Sequence, residues 1–338
     1  VGTKISTLFI MDAKSWGVLI LVYCAVGSVV PVWLLLQPRG YLGGFILYTA
    51  LALGVVGIFF GGYDIRQPAF KGFDIGGMTG TLFPFLFVTI ACGACSGFHG
   101  LVCSGTTSKQ VDRESHIRPV GYGAMLAEGF VAFIALVTVM IMTGDQLKGL
   151  KPGTIYGNGI GEFLTLIIGE ENRNFAITFG AMAFSTFVFD TLDVSTRLGR
   201  YIVQELLSWR TRAGAAFATI ATVAIPVWFI VYAKEGSWVR FWTLFGASNQ
   251  LLAALTLLAI SAWLHEARKR IAFTLVPMLF VLTITLWALG KIALQTLAQA
   301  KGFDISMANS VAAMLLIALA LFLVGSAVAK LRRPAQAA

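Results

Sequence analysis

Apolar runs close to the roughly 20 residues that a helix needs to cross a bilayer recur about nine times along this chain. They fall at 15–36, 43–60, 79–102, 121–143, 174–192, 215–233, 241–264, 273–290 and 308–328. In hydrocarbon every backbone polar group must be satisfied within the protein, so runs of this length are read as transmembrane helices. Composition agrees. Hydrophobic residues make up 57% and charged residues 12%, against roughly 25% charged in an average soluble domain, and the mean hydropathy is +0.82. The expected fold is an all-α polytopic membrane protein of about nine transmembrane helices, read as a single membrane domain over 1–338 because no connection is long and polar enough for a soluble one. The longest connection, Gly144 to Arg173, is expected on the outer face with a short helix from Ile160 to Ile168 and a role as a cap or gate, or none.

The net charge of +9 does not call for nucleic acid, because Lys and Arg fall in the connections. Alternate connections collect Arg39, Lys109, Arg113, Arg118, Arg197, Arg200, Arg210, Arg212, Arg268, Lys269, Arg270, Lys330, Arg332 and Arg333 against few acids. By the positive-inside rule that side is cytoplasmic, which puts the N-terminus outside and the C-terminus inside. The four cysteines, Cys24, Cys92, Cys95 and Cys103, all lie in apolar segments and read as packing thiols. The opening VGTKIS lacks an initiator Met and a signal-peptide pattern, and reads as the interior of a longer protein.

One membrane-length run breaks into glycines, hydroxyls and a histidine, ACGACSGFHGLVCSGTTSKQ from Ala91 to Gln110. Non-helical backbone at membrane depth survives only where protein or a water-filled cavity surrounds it, so the break reads as a binding site or pathway. Ser96, Gly97, Ser104, Gly105, Thr106 and Thr107 supply hydroxyls and close backbone approach, and the amides at a half-helix start can hold a carboxylate. His99 adds a group that titrates near neutrality. Close helix packing by small residues is the competing reading. The spacing Cys92, Cys95, His99, Cys103 also resembles a zinc set. On one helix it would stretch over about 16 Å, too far for a tetrahedral ion unless the chain breaks sharply after His99, so no metal is expected.

Two further constellations carry polar groups into apolar runs. In FVFDTLDVSTRLGRYIVQEL, Asp190 and Asp193 share a helix face. Asp193 has Arg197 at the ion-pair spacing, whereas Asp190 is deeper with no local partner and is the better proton carrier. In FWTLFGASNQLLAALTLL, Asn249 and Gln250 either bind solute or hydrogen-bond a neighbouring helix. Glu128, in LAEGFVAF, is the other acid suited to carry a proton. No GxSxG elbow, HExxH or P-loop is present, so neither an enzyme nor a cofactor is expected.

At these stretches the sequence resembles the carbon starvation protein A family. SGFHGLVCSGTTSKQ is similar to that family's SGFHxLVxSGTTxKQ, DTLDVSTRLGRYIVQEL to its LDxxTRLGRY, and LFGASNQLLAALTL to its FGxxNQLLAxL, while PVWLLLQPRGYL at Pro31 to Leu42 matches as well. Members are typically longer, with further N-terminal spans, and Cys95 and Cys103 stand where small or hydroxyl residues are expected. The resemblance implies a secondary carrier in the inner membrane, related to the amino acid and cation symporter superfamily, that imports small peptides or pyruvate with protons. Its partners would be the solute, protons and lipid. The alternative is a non-transporting starvation sensor, a scaffold or an incomplete carrier.

Overall fold

The computed structural model describes residues 10–74, 80–90, 95–232, 239–300, 302 and 304–331. Among them the chain is helical, and its only extended pairing is an isolated bridge between Asp74 and Thr81. The helices are α1 (Ala13–Val29), α2 (Leu36–Phe60), α3 (Phe87–Ile90), α4 (Gly97–Gly105), α5 (Ala124–Met140), α6 (Gly144–Leu147), α7 (Pro152–Ile168), α8 (Arg173–Leu206), α9 (Arg212–Tyr232), α10 (Val239–Glu266), α11 (Ala272–Gln299) and α12 (Ile305–Leu331). Seven helical stretches among the described residues are long and apolar enough to cross a membrane, and α1, with 17 residues, is a shorter apolar helix. Many of their apolar side chains face outward. Only 11% of the apolar window of Ile305–Ala329 is buried, and large side chains such as Phe60, Phe273 and Phe322 are exposed. Surface of this kind needs a hydrocarbon solvent, and the chain is a multi-pass membrane protein.

The chain divides into two compact units, Val1–Ala69 with Leu126–Ala233, and Phe70–Met125 with Lys234–Ala338. Each is built from two separate stretches of sequence, so neither is a contiguous domain.

In the first unit, Gly144 to Arg173 is more helical than its glycines suggested, the helix expected at Ile160 to Ile168 starting already at Pro152. Pro152 opens α7 at a position where its missing N–H costs nothing, and the helix runs 17 residues with Ile160 and Phe163 fully buried. Gly157 lies so close to α8 that a Cβ there would sit 3.0 Å from the Ala181 nitrogen. Glycine in a membrane helix permits this packing, whereas the same residues in water read as a loop. Beside it, the Tyr63 hydroxyl donates to the Glu162 carbonyl at 2.9 Å. Burial first, then the neighbouring carboxylates of Glu162 and Glu170, push that phenol up, so it stays a neutral donor.

A second difference concerns α8, expected to end near Leu192. It continues to Leu206 as one 34-residue helix. Its hydroxyls hide their polarity by donating back one turn, Thr178, Ser185, Thr186, Thr191, Ser195 and Thr196 to carbonyls at 2.6–3.1 Å, the usual arrangement for Ser and Thr in apolar helices. Arg197 and Arg200, assigned above to a cytoplasmic connection, are therefore helical and buried, at 4% and 8% exposure. Arg39 likewise lies in the first turn of α2, not between helices.

In the second unit, α10, α11 and α12 pack around a core that includes Leu251, Ala254, Val281 and Leu289. The expected span at 79–102 is interrupted. A π-helical turn over Leu82–Leu86, with a cis Phe83–Pro84 bond, leads into α3, and among the described residues Cys95 and Ser96 are non-helical before α4 starts at Gly97. Cys92 and part of this span lie outside the described residues.

Candidate functional site

The sequence-selected residues fall into two groups, one in each unit. In the second unit the break comes at Ser96, before His99 and not after it, so α4 carries His99 and Cys103 on one continuous helix. Asn249 of α10 secures the new helix start. Its Oδ1 accepts from the Phe98 N–H at 2.8 Å and its amide lies 3.3 Å from the Ser96 hydroxyl, which itself accepts from the His99 N–H at 3.3 Å. Gly97 lets α4 settle onto α10: a Cβ there would fall 2.5 Å from the Asn249 carbonyl oxygen and 2.7 Å from the Ala253 nitrogen. In this arrangement the Phe98 and His99 amides, two of those at the helix start, are bonded to protein side chains.

Asn249→Ala is expected to weaken the α4 start by about 1 kcal/mol, the scale of a lost helix cap. Amide exchange at Phe98 would then speed up about fivefold, while Asn249→Asp, which keeps the acceptor, would preserve protection.

His99 is exposed on α4 and Ser104 and Ser108 bond carbonyls within the helix, at 3.0 Å each. Gly105 ends α4, Thr106 follows as its C-cap, with a buried hydroxyl that meets no protein partner among the described residues, and Thr107 begins a short 3-10 turn. Gln250 is fully buried, and neither amide atom meets a protein partner among the described residues. Its level in the unit follows from the Ser261–Thr274 hydroxyl contact at 2.7 Å. Counting 261 − 250 = 11 along α10 and 285 − 274 = 11 along α11, three turns each way, brings Gln250 and Thr285 to the same level on the facing sides of the pair. The Thr285 hydroxyl is also buried without a protein partner among the described residues. Thr285 was missed because a threonine in an apolar run carries no signal by itself.

The first unit holds the charged group. Asp190 and Asp193 do share one face of α8, and Arg39 of α2 stands between them. Its Nε donates to Asp190 Oδ1 at 3.1 Å, Nη2 meets the same oxygen, and Nη1 donates to Asp193 Oδ2. The guanidinium also lies 4.7 Å from the Phe189 ring centroid and 5.8 Å from that of Tyr23, a cation–π contact strengthened by desolvation. Asp193 is 1% exposed, whereas the Asp190 side chain is 37% exposed.

Asp190 meets a partner distant in sequence, Arg39, and not a local one. One expectation is corrected here. Arg197 does not close the i, i+4 pair with Asp193: its Nη2 donates to the carbonyls of Gly27 and Val30 at 2.6 and 2.5 Å. The last carbonyls of a helix lack internal partners, and those at the end of α1 take the Arg197 guanidinium while Asp193 bonds Arg39. Glu128 stands elsewhere, half-buried on α5. Arg39 escaped the sequence reading because a basic residue beside Pro38 looks like a connection.

A charged triad and an interrupted helix lie among apolar helices of a multi-pass membrane protein, where ionisable groups are rare and costly. The comparisons narrow the class. The family model for carbon starvation protein CstA matches residues 2–158 and 147–288, and the chain belongs to that family. It is 33% identical over 344 residues to the peptide transporter CstA of Campylobacter jejuni, covering 83% of this chain and 49% of the relative. It is 31% identical over 368 residues to the pyruvate/proton symporter BtsT of Escherichia coli, covering 83% and 51%. With the peptide transporter CstA of Bacillus subtilis it shares 28% identity over 381 residues, covering 97% and 62%. The chain thus spans about half the length of the curated relatives it matches. No solved structure matches it.

Proposed function

We propose that this chain belongs to a secondary active transporter that imports small peptides or a small carboxylate such as pyruvate, driven by protons. The observation that carries the reading is Arg39 held between Asp190 and Asp193 within apolar helices. An intramembrane carboxylate pair sharing one guanidinium can take up and release a proton without leaving a bare charge in hydrocarbon. The transporter names of the relatives support the same class.

In this reading Asp190, the more exposed acid, is the proton carrier, with His99 or Glu128 as a second group, and Asp193 holds Arg39. The polar groups of the second unit contact the solute or ion: Gln250 with its partnerless amide, and Thr106, Thr107 and Ser104 beyond the break. Asn249 and Ser96 fix the helix start, as Gly97 and Gly105 bound it. The site is in the cytoplasmic membrane with the C-terminus inside, which the basic residues at 109–118 and 268–270 favour.

The test is uptake of labelled pyruvate and of a labelled dipeptide by the intact transporter in proteoliposomes, with and without an inward proton gradient. Gradient-driven accumulation of one of them is expected, and it should fall at least tenfold in Asp190→Asn while downhill exchange persists. Accumulation that survives Asp190→Asn unchanged would remove Asp190 from coupling. No uptake of either solute by folded protein would overturn the transport reading.

A further inference from the structure

We infer that Arg39 is the carboxylate anchor of the transported solute, and that Asp190 occupies this anchor when no solute is bound. The inference deepens the transport reading above and rests on it for the name of the solute. Its basis is the way the guanidinium is used. The side of Arg39 that presents Nε and Nη2 is a fork shaped for the two oxygens of one carboxylate. Asp190 gives that fork a single oxygen, since both nitrogens converge on Oδ1. Its other oxygen, Oδ2, turns toward Gly43, where a Cβ would lie 3.2 Å away. Asp193 takes Nη1 separately and, being buried, keeps Arg39 charged and in place when Asp190 lets go.

A groove opens beside this fork. It has a volume of about 290 Å³ and is bordered by Arg39, Gly43 and Ile46 of α2 and by Met182, Thr186 and Phe189 of α8. That is the low end of the range for small-molecule sites, which are mostly apolar with a few polar anchors. An apolar wall with one guanidinium at its end suits a short solute that carries one carboxylate and little other charge. A pyruvate and the C-terminus of a small dipeptide share this chemistry.

The exchange balances in charge. Asp190 gains a proton, its bonds to Nε and Nη2 break, and the solute carboxylate forms two bonds to the same nitrogens. One anion and one proton enter together. The ionisable groups facing the exchange are Tyr23 and Cys24 on α1, Arg39 on α2, and Asp193 and Arg197 on α8. With both aspartates ionised they balance the two arginines, and when Asp190 is protonated the solute carboxylate takes over its negative charge, so the group is neutral in both states.

Equilibrium binding to the detergent-solubilised intact transporter tests this without requiring transport. The probes are pyruvate, alanylalanine and their neutral amides, pyruvamide and alanylalaninamide. One acid is expected to bind and its amide to bind about 30-fold more weakly, the scale of lost charge-assisted hydrogen bonds; which acid binds identifies the solute. Asp190→Asn should bind the acid at least as tightly as the parent and lose the pH dependence of binding. Arg39→Gln should lose the acid, and Arg39→Lys should bind it more weakly because an ammonium lacks the fork. Equal binding of acid and amide by the parent, or no binding of either acid, would overturn the inference, and neither outcome depends on a variant that folds. Arg39-dependent binding of the acid without gradient-driven uptake would uphold the anchor while overturning transport. Uptake of acid and amide alike would do the reverse.

Discussion

A Gly97→Val variant is expected to lose the docking of α4 on α10 and to lower the apparent Tm in detergent by about 10 °C. The cause is local and steric. A side chain at this position meets not only Leu252 Cβ at 2.4 Å but also the Asn249 carbonyl oxygen and the Ala253 nitrogen, atoms of a helix backbone that cannot turn aside. Overpacking costs typically 1–3 kcal/mol, and moving α4 off α10 also breaks the Asn249 bond to Phe98, about 1 kcal/mol more. The upper end of that sum, roughly 4 kcal/mol, converts to the stated shift at the 2–4 °C per kcal/mol typical of domains of about 150–250 residues. Intrinsic fluorescence reports it, because Trp242 and Trp263 lie on α10 itself. An unchanged melting curve would mean that α4 is not seated on α10 in the membrane protein.

Arg197→Leu is expected to destabilise the end of α1 by about 3 kcal/mol. Two charge-assisted bonds to the Gly27 and Val30 carbonyls disappear, each of a kind worth about 1.5–3 kcal/mol, with the gain in apolar packing offsetting part. The loss also takes one positive charge from beside Asp193, which then depends on Arg39 alone. Hydrogen–deuterium exchange over residues 26–30 reads the effect directly, with rates raised roughly 100-fold for a local loss of that size. Arg197→Lys should recover only part of the protection, since a single ammonium on a shorter reach does not serve both carbonyls as the guanidinium does. Protection unchanged in Arg197→Leu would show that α1 is held by packing alone.

How much of this was legible in the sequence depends on what each signal measures. Apolar runs gave the helical membrane class and most helix positions, because the cost of exposing backbone in hydrocarbon leaves few other folds. The break before α4 was visible as glycine and serine inside such a run. The aspartate pair was visible as charge where charge is expensive, and three-residue spacing put both on one face. What stayed hidden needed a second helix. The residue that neutralises the aspartates, Arg39, lies about 150 positions away on α2, and no local spacing predicts a tertiary partner. The i, i+4 rule chose Arg197 for Asp193 because it sees only one helix, while the carbonyls at the end of α1 compete for the same guanidinium. Helix α7 was expected only over Ile160 to Ile168 because glycine and proline signal a turn, whereas Pro152 opens the helix and its glycines pack closely against α8. Asn249 was legible as a polar residue in need of a partner, but its role as the cap of another helix became evident only from the 2.8 Å bond to Phe98.

Helix α8 carries a mechanical consequence. It is one uninterrupted rod of 34 residues with no proline inside, about 51 Å long at 1.5 Å per residue. The part that α7 grips through Gly157 and Ala181 and the part that bears Asp190, Asp193 and Arg197 belong to the same rigid body. A tilt of roughly 10° about the Arg173 end would sweep the Leu206 end by about 9 Å and the aspartates by about 5 Å, more than the length of any hydrogen bond. Unless α2 followed, such a swing would pull both carboxylates off Arg39 at once, so the helix works as a lever whose handle is the glycine-packed contact with α7 and whose latch is a single guanidinium.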